Sequence, residues 1–241
     1  MRKIRISSII AVFLVVSSMS VSYAGSKIDL QTGLLQSQFK DMSKELGLLI
    51  SYAPLAPAEP LGILGFDAGV EVTAAKISSS SWDKVVSNPP DYLILPKLHV
   101  QKGLPFGIDV GLEYATVPNS NISLYGGEVK WAVLRGTMVS PAVAIRGSYT
   151  ALTGVDELDA STYGLDASIS KGFLFITPYA GVGQVWIDTS ENSSAVSLKD
   201  VSTSATKVFL GAKVKMLIVN LVVQADFSDV NMYSARVNVG F

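Results

Sequence analysis

The chain has 241 residues, of which 49% are hydrophobic and 16% are charged. Its 19 basic and 20 acidic residues give a net charge of −1, which excludes the strongly basic character of a nucleic-acid-binding domain. Cysteine is absent, and this excludes a disulfide framework, a thiolate metal site and the lipidated cysteine of a lipoprotein.

The first 24 residues predict a secretory signal peptide. Arg2 and Lys3 precede an apolar run from Ile9 to Val16, and small residues follow up to a cleavage site at Ala24. Beyond this point no apolar run approaches the roughly 20 residues that a membrane-spanning helix needs. The apolar residues are therefore distributed along the chain, as they are in strands of about 9 to 11 residues that cross a bilayer within a closed barrel.

Residues 25–60 predict an amphipathic helix followed by a proline-rich tether. Apolar residues recur at helical spacing over residues 28–46, Gly47 is expected to end the helix, and residues 53–60 read A-P-L-A-P-A-E-P. Three placements are open for this segment: a plug in the barrel mouth, the periplasmic membrane surface, and an assembly appendage. The apolar stripe favours the membrane surface over a polar lumen, whereas the charges between the apolar residues would suit a gating plug.

From residue 61 to residue 241 the sequence predicts an all-β fold, a transmembrane antiparallel up-and-down β-barrel of about ten strands. Short turns alternate with connections that are usually longer, as periplasmic turns and extracellular loops do in such barrels. For residues 173–187, the alternation of apolar and polar residues does not show which side chains face the lumen, since aromatic residues fall on both faces. The predicted strands cover residues 62–77, 92–101, 106–117, 122–134, 142–152, 162–170, 173–187, 206–214, 219–227 and 231–241.

One face of these strands is predicted to line the lumen, with seven carboxylates, six cations and one histidine. A ten-stranded barrel is only slightly wider than the eight-stranded barrels that side chains fill, so we favour a hydrogen-bonded, ion-paired core over an open aqueous channel. The alternative is a narrow, weakly selective path or a lateral route for a small hydrophobic molecule. The predicted lumen-lining residues are Asp67, Glu71, Lys97, His99, Asp109, Glu113, Glu128, Lys130, Arg146, Asp166, Lys207, Lys213, Asp226 and Arg236.

The opposite face predicts two aromatic girdles around an apolar band. Tyr233 and Phe241 are eight residues apart on one face, which is about 26 Å along a strand and somewhat under 20 Å along the membrane normal. A soluble sandwich would bury this face instead of ringing it with aromatic residues. The predicted girdle residues are Tyr92, Phe106, Tyr114, Tyr125, Tyr149, Tyr163, Phe227, Tyr233 and Phe241.

The last eleven residues, 231–241, alternate along a strand that ends on an aromatic side chain. This pattern resembles the closing strand of bacterial outer-membrane β-barrels of the porin-like superfamily. The resemblance implies the bacterial outer membrane as the location, with outer-membrane lipid and lipopolysaccharide as the surroundings. It also implies that the barrel-assembly machinery recognises Phe241.

The sequence predicts no catalytic residue, no metal site and no cofactor. His99 is the one histidine, and no pattern of nucleophile, base and orienting carboxylate accompanies it. Acidic residues near 156–159 and 188–191 lack the regular ligand spacing of a calcium loop. We therefore expect a non-enzymatic barrel that passes small solutes or supports the envelope. The alternatives are a surface adhesion protein that acts through loops 78–90 and 188–203, and, less favoured, an outer-membrane enzyme.

Overall fold

The computed structural model describes residues 33–77, 82–83, 90–116, 122–193 and 196–240. These residues contain one α-helix, α1 (Gln36–Ile50), and ten strands. No helix in this described part is long and apolar enough to cross a membrane. The strands are β1 (Phe66–Lys76), β2 (Tyr92–Gly103), β3 (Ile108–Thr116), β4 (Ser123–Arg135), β5 (Ala142–Thr153), β6 (Leu158–Ser170), β7 (Ile176–Glu191), β8 (Val201–Met216), β9 (Val219–Phe227) and β10 (Met232–Gly240).

The ten strands form a closed antiparallel barrel. Each strand pairs with its neighbours in sequence, and β1 pairs with β10 to close the wall, with Glu71 opposite Arg236. Closure leaves no strand edge unpaired, which is the condition for a sheet to span a bilayer. The predicted ten-stranded up-and-down barrel is confirmed. Strand β8 begins at Val201 rather than at residue 206, because backbone pairing continues beyond the apolar band, where alternating hydrophobicity gives no signal.

The two ends of the barrel differ in their connections. We call the end with the tight connections 104–107, 136–141, 171–175 and 217–218 the turn end, and the opposite end the loop end. Strand β3 begins at Ile108, so the predicted start of that strand at Phe106 is wrong. Phe106 lies in the short 3-10 turn Pro105–Gly107, where its φ of 65° breaks the extended backbone.

The alternation of apolar and polar residues does not show which face of strand β7 points inward. In the structure, Tyr179 points into the barrel and Trp186 points outward. Tyr179 is 4% exposed and Trp186 is 44% exposed. The Tyr179 ring lies 6.5 Å from the Phe209 ring of β8. A Cβ atom on Gly211 would lie 2.4 Å from the Tyr179 ring, so this inward glycine makes room for the tyrosine.

Helix α1 lies inside the loop half of the barrel. Its Phe39, Met42 and Leu46 are buried against inward-facing Leu124 and Leu158 of the wall. The preference for the membrane surface is therefore wrong, and the plug alternative is the one observed. The physical reason is that the inner wall is apolar in its loop half, so it accepts the apolar stripe of the helix.

The observed bounds of α1 also differ from the predicted helix. The helix begins at Gln36, and the predicted residues 28–32 lie outside the described part of the chain. It continues through Gly47 to Ile50, so the predicted end at Gly47 is wrong. A Cβ atom on residue 47 would lie 2.3 Å from the Ile187 side chain. The glycine thus permits close approach of the helix to β7 and does not serve as a helix end.

The tether, residues 51–65, continues from α1 through the lumen to β1 at the turn end. Ser51, Tyr52, Leu55 and Ala58 are all buried. We call residues 33–65 the plug. The plug runs through the barrel from the loop end to the turn end, and residues 42–58 within it are buried except for Lys44.

Candidate functional site

The fourteen predicted lumen-lining residues all lie on the inward face of the barrel, and thirteen of them are buried. Lys213 is the half-buried member, close to the turn end. They form a polar layer between α1 and the turn end, around the tether. The structure therefore brings the predicted set together in one region, which is the candidate functional site.

The centre of this polar layer is a group of buried ion pairs across neighbouring strands. The Lys97 Nζ lies 2.9 Å from carboxylate oxygens of both Glu71 and Glu113. The Arg146 Nε lies 3.0 Å from a carboxylate oxygen of Glu128. Lys97 lies directly opposite Glu71 in the strand register, so the pairing of β1 with β2 brings these charges together. For Lys97 and Arg146, these carboxylates compensate for the burial of the positive charge.

A second group of ion pairs lies closer to the turn end. The Lys130 Nζ lies 2.9 Å from Asp109, and the Lys213 Nζ lies 3.9 Å from Asp67. These lysines also face the tether. The site is therefore a contact between the charged wall and the plug as well as a network within the wall.

Cations of the wall donate hydrogen bonds to backbone carbonyl oxygens of the tether. The Lys130 Nζ donates to the carbonyl oxygens of Pro57 and Glu59, each at 3.0 Å. The Arg236 guanidinium donates to the Leu55 carbonyl oxygen. A proline-rich segment inside the barrel has no regular backbone pairing, so its buried carbonyl groups need donors from elsewhere. The wall cations supply them.

Acceptors on the wall meet the donors of the plug in the same way. The Leu61 N–H donates to the Asp109 carboxylate at 3.1 Å, and the Leu55 N–H donates to the Gln224 side-chain oxygen at 3.1 Å. The Tyr52 hydroxyl shares a hydrogen bond of 2.8 Å with His99 Nε2. His99 is buried beneath the plug, so its contact holds Tyr52 in place rather than facing a substrate.

The loop end adds contacts that the sequence analysis did not single out. The Trp82 indole N–H donates to Glu45 of α1 at 2.6 Å, and Trp82 is buried although it belongs to a serine-rich loop. The Lys44 Nζ lies 2.5 Å from Asp229. The Gln36 side chain bonds the backbone of residue 199. In the sequence, a single tryptophan within a polar loop is the feature that could have indicated this contact between the loop and α1.

A cavity of about 330 Å³ lies between the tether and the wall near the turn end. Asp67, Lys213 and Arg236 line its polar side, and Leu61 and Phe175 line its apolar side. In the described part of the chain, the helix and tether occupy the lumen on the loop side of this cavity.

Eight of the nine predicted girdle residues are exposed on the outside of the barrel, with exposed fractions from 36% to 79%. Phe241 lies outside the described residues. The Tyr114 and Tyr125 rings lie 5.2 Å apart and the Tyr149 and Tyr163 rings lie 4.9 Å apart, on adjacent strands. These two pairs belong to a belt of outward-facing tyrosines near the loop end, and the outward face between this belt and the turn end is apolar.

Comparisons with known proteins bear on the fold. No protein-family model and no curated protein matches the sequence. The N-terminal β-barrel domain of Pseudomonas aeruginosa OprF is similar, with 15% identity, a TM-score of 0.35, and coverage of 72% of this chain and 97% of that one. This chain folds as a membrane-spanning β-barrel. That statement rests on the closed wall and outward apolar band of the chain itself, since similarity at this level carries no activity.

Two other solved structures have the same kind of similarity. Neisserial surface protein A matches with 13% identity, a TM-score of 0.32, and coverage of 73% of this chain and 97% of that one. The attachment invasion locus protein Ail of Yersinia pestis, in complex with the heparin analogue sucrose octasulfate, matches with 9% identity and a TM-score of 0.32. That match covers 73% of this chain and 95% of Ail. At this level of identity and TM-score, these two matches carry no conclusion about the location or activity of this chain.

Proposed function

We propose that the protein is a non-enzymatic outer-membrane barrel that its own plug keeps closed, and that it serves the envelope as a structural element presenting its loop end. The observation that carries this proposal is the path of residues 33–65 through the whole lumen. Wall donors and acceptors are bonded to the plug rather than lining open space. A barrel filled in this way is a barrier to small solutes at rest.

The energetics of the plug support a closed resting state. A hydrogen bond to a charged group contributes about 1.5–3 kcal/mol, and the tether receives several of these from Lys130, Lys207 and Arg236. The apolar face of α1 is buried as well, at about 25 cal/mol per Å² of apolar surface. Removal of the plug would expose this face and leave the wall cations without their carbonyl partners.

Gated passage of small solutes is the second candidate. The pair Lys44–Asp229 near the loop end has side chains that are 30% and 53% exposed, and exposed ion pairs contribute only about 0–1 kcal/mol. Without the plug, the lumen would be lined by charges of both signs and would be weakly selective. Passage would then require a signal that displaces residues 33–65.

We further propose three partners for this barrel. Outer-membrane lipid and lipopolysaccharide contact the outward band and its tyrosine belt, and the barrel-assembly machinery recognises Phe241. Adhesion through the loop end is supported by the anchoring of Trp82 and Asp229 to α1. That anchoring joins separate loops into one surface.

Planar-bilayer conductance tests the closed state. We expect no conductance steps from residues 25–241 and clear steps from a form that lacks residues 27–60, with heat-modifiable gel mobility showing that both have folded. A second variant keeps the full length and replaces Leu48, Leu49 and Ile50 of α1 with serine, which weakens the apolar seat of the helix. Steps from the full-length chain would refute the closed resting state. Silence from all three folded forms would exclude gated passage.

A further inference from the structure

The cavity of about 330 Å³ between the tether and the wall has the size of a small-molecule site. We call it the turn-end cavity. Two of the residues that line it, Leu174 and Lys215, are exposed, so the cavity opens to solvent at the turn end. A small molecule can therefore reach the cavity without passing the plug.

Glycine residues leave space on two sides of the turn-end cavity. A Cβ atom on Gly240, at the end of β10, would lie 3.3 Å from the Asp67 carboxylate and 3.5 Å from the Asn220 side-chain nitrogen. On the side of the tether, a Cβ atom on Gly172 would lie 3.2 Å from the Glu59 carboxylate. A side chain at either position would take up part of the cavity and cover these polar groups.

Three buried polar side chains that line the cavity have atoms with no hydrogen-bond partner among the described residues. They are Arg236 (Nε and Nη1), Asn220 (Oδ1) and Asp67 (Oδ1). The Arg236 Nη1 lies 3.6 Å from Glu71, which is too long for a hydrogen bond. Buried polar atoms in folded proteins are nearly always hydrogen-bonded, so these atoms are available to a molecule that enters the cavity.

Cations outnumber carboxylates around the turn-end cavity. The charged residues that line it are Lys130, Lys213, Lys215 and Arg236 against Asp67 and Glu59. The four tight connections of the turn end, residues 104–107, 136–141, 171–175 and 217–218, contain no acidic residue. A mouth lined in this way attracts an anion and repels a cation.

Two of these cations converge on one point of the wall. Lys213 of β8 and Arg236 of β10 both lie opposite Val222 of β9 in the strand register. Because neighbouring strands are about 4.8 Å apart, the two backbones are about 10 Å apart, which two long side chains can bridge around a small ligand. The Lys213 Nζ lies 3.9 Å from Asp67, beyond hydrogen-bond distance, so it retains donors for another acceptor.

We propose that the turn-end cavity binds a small organic anion, with a carboxylate or phosphate group on a compact apolar body. Lys213, Lys215 and Arg236 hold the acidic group, and Leu61 and Phe175 of the apolar side pack against the body. This site goes beyond the closed barrel proposed above and rests on it only for the path of the tether, which forms one side of the cavity.

Calorimetric titration of the folded full-length protein in non-ionic detergent tests the proposal. The probes are phenylacetate, phenyl phosphate and phenylacetamide, which has the shape of phenylacetate without its charge. We expect the anions to bind and phenylacetamide to bind at least about tenfold more weakly, because it loses the attraction of the cations. Titration into protein-free micelles gives the background. The ratio of the two anion affinities identifies the preferred acidic group.

Lys213→Gln removes one cation from the cavity and is expected to weaken phenylacetate binding by about tenfold. Lys199→Gln removes the same charge at an exposed position of the loop end and should leave the affinity unchanged. Lys215→Gln replaces Lys213→Gln if that variant does not fold, since Lys215 is exposed. Heat-modifiable gel mobility shows which variants have folded.

Equal affinities for phenylacetate and phenylacetamide would overturn the anion site, and so would failure of both anions to bind. Equal effects of Lys213→Gln and Lys199→Gln would overturn it as well, since net charge alone would then explain the binding. Full affinity in a form that lacks residues 27–60 would refute the part of the tether in the site. Conductance steps from a full-length chain that still binds phenylacetate selectively would refute the closed resting state and leave this site intact.

Discussion

At the scale of single residues, the buried cations of the lumen have two kinds of partner. Lys97 pairs with two wall carboxylates, whereas Lys130 pairs with Asp109 and also donates to the tether. Alternation along each strand indicates that these side chains face inward. It does not indicate which carboxylate meets which cation, because that depends on the strand register, and register follows from hairpin geometry that the sequence does not specify alone.

Lys130→Met is expected to destabilise the folded barrel by about 3–5 kcal/mol. The substitution leaves Asp109 buried without its cation and leaves two tether carbonyl groups without a donor. The measurement is urea unfolding in detergent, followed by tryptophan fluorescence and heat-modifiable mobility. Lys199→Met, at an exposed loop position, is the matched control and should change stability by less than about 0.5 kcal/mol. Equal effects of the two substitutions would contradict the assigned role of Lys130.

At the scale of the elements, the sequence predicts the strands well and the position of the helix poorly. The strands are predictable because a period of two and tight turns specify their approximate extent and, for every strand except β7, their facing. The position of the helix is not predicted, because the inward residues in the middle of the strands are polar and give no sign of an apolar loop half. Inward-facing Leu124, Leu152 and Leu158 form an apolar seat near the loop end, and each of them lies at a strand end, where a few residues give a weak signal.

Gly47→Ala tests how closely α1 approaches the wall. In an exposed helix this substitution usually stabilises by up to about 1 kcal/mol. Here the new methyl group would lie 2.3 Å from the Ile187 side chain, so we expect destabilisation by about 1–3 kcal/mol instead. Urea unfolding gives the sign. Because Ile187 is itself buried, Ile187→Ala is destabilising in the parent, but it should cost less in the Gly47→Ala background, where it also removes the clash. A Gly47→Ala protein as stable as the parent would show that the helix does not pack there.

At the scale of the whole molecule, the chain runs from one end of the barrel to the other once as the plug and once in each of the ten strands. The chain enters the lumen at the loop end near Leu34, reaches the turn end near Gly65, and finishes β10 at the turn end. The position of Leu34 and the position of Gly240 are therefore at opposite ends of the barrel. Counting strands in the sequence does not predict that these two positions lie at opposite ends, because that depends on where the helix lies.

An epitope inserted at Gly33 tests this path in intact cells. We expect antibody to bind it from the same side as an epitope placed after Asp156 in a loop. An epitope placed after Met138 in a tight turn should become accessible only once the outer membrane is permeabilised. Protection of the Gly33 epitope in intact cells, with the loop epitope accessible, would show that the plug does not traverse the lumen. Accessibility of both would place the start of the plug at the loop end, where contacts with residues 82, 199 and 229 hold α1 in the lumen.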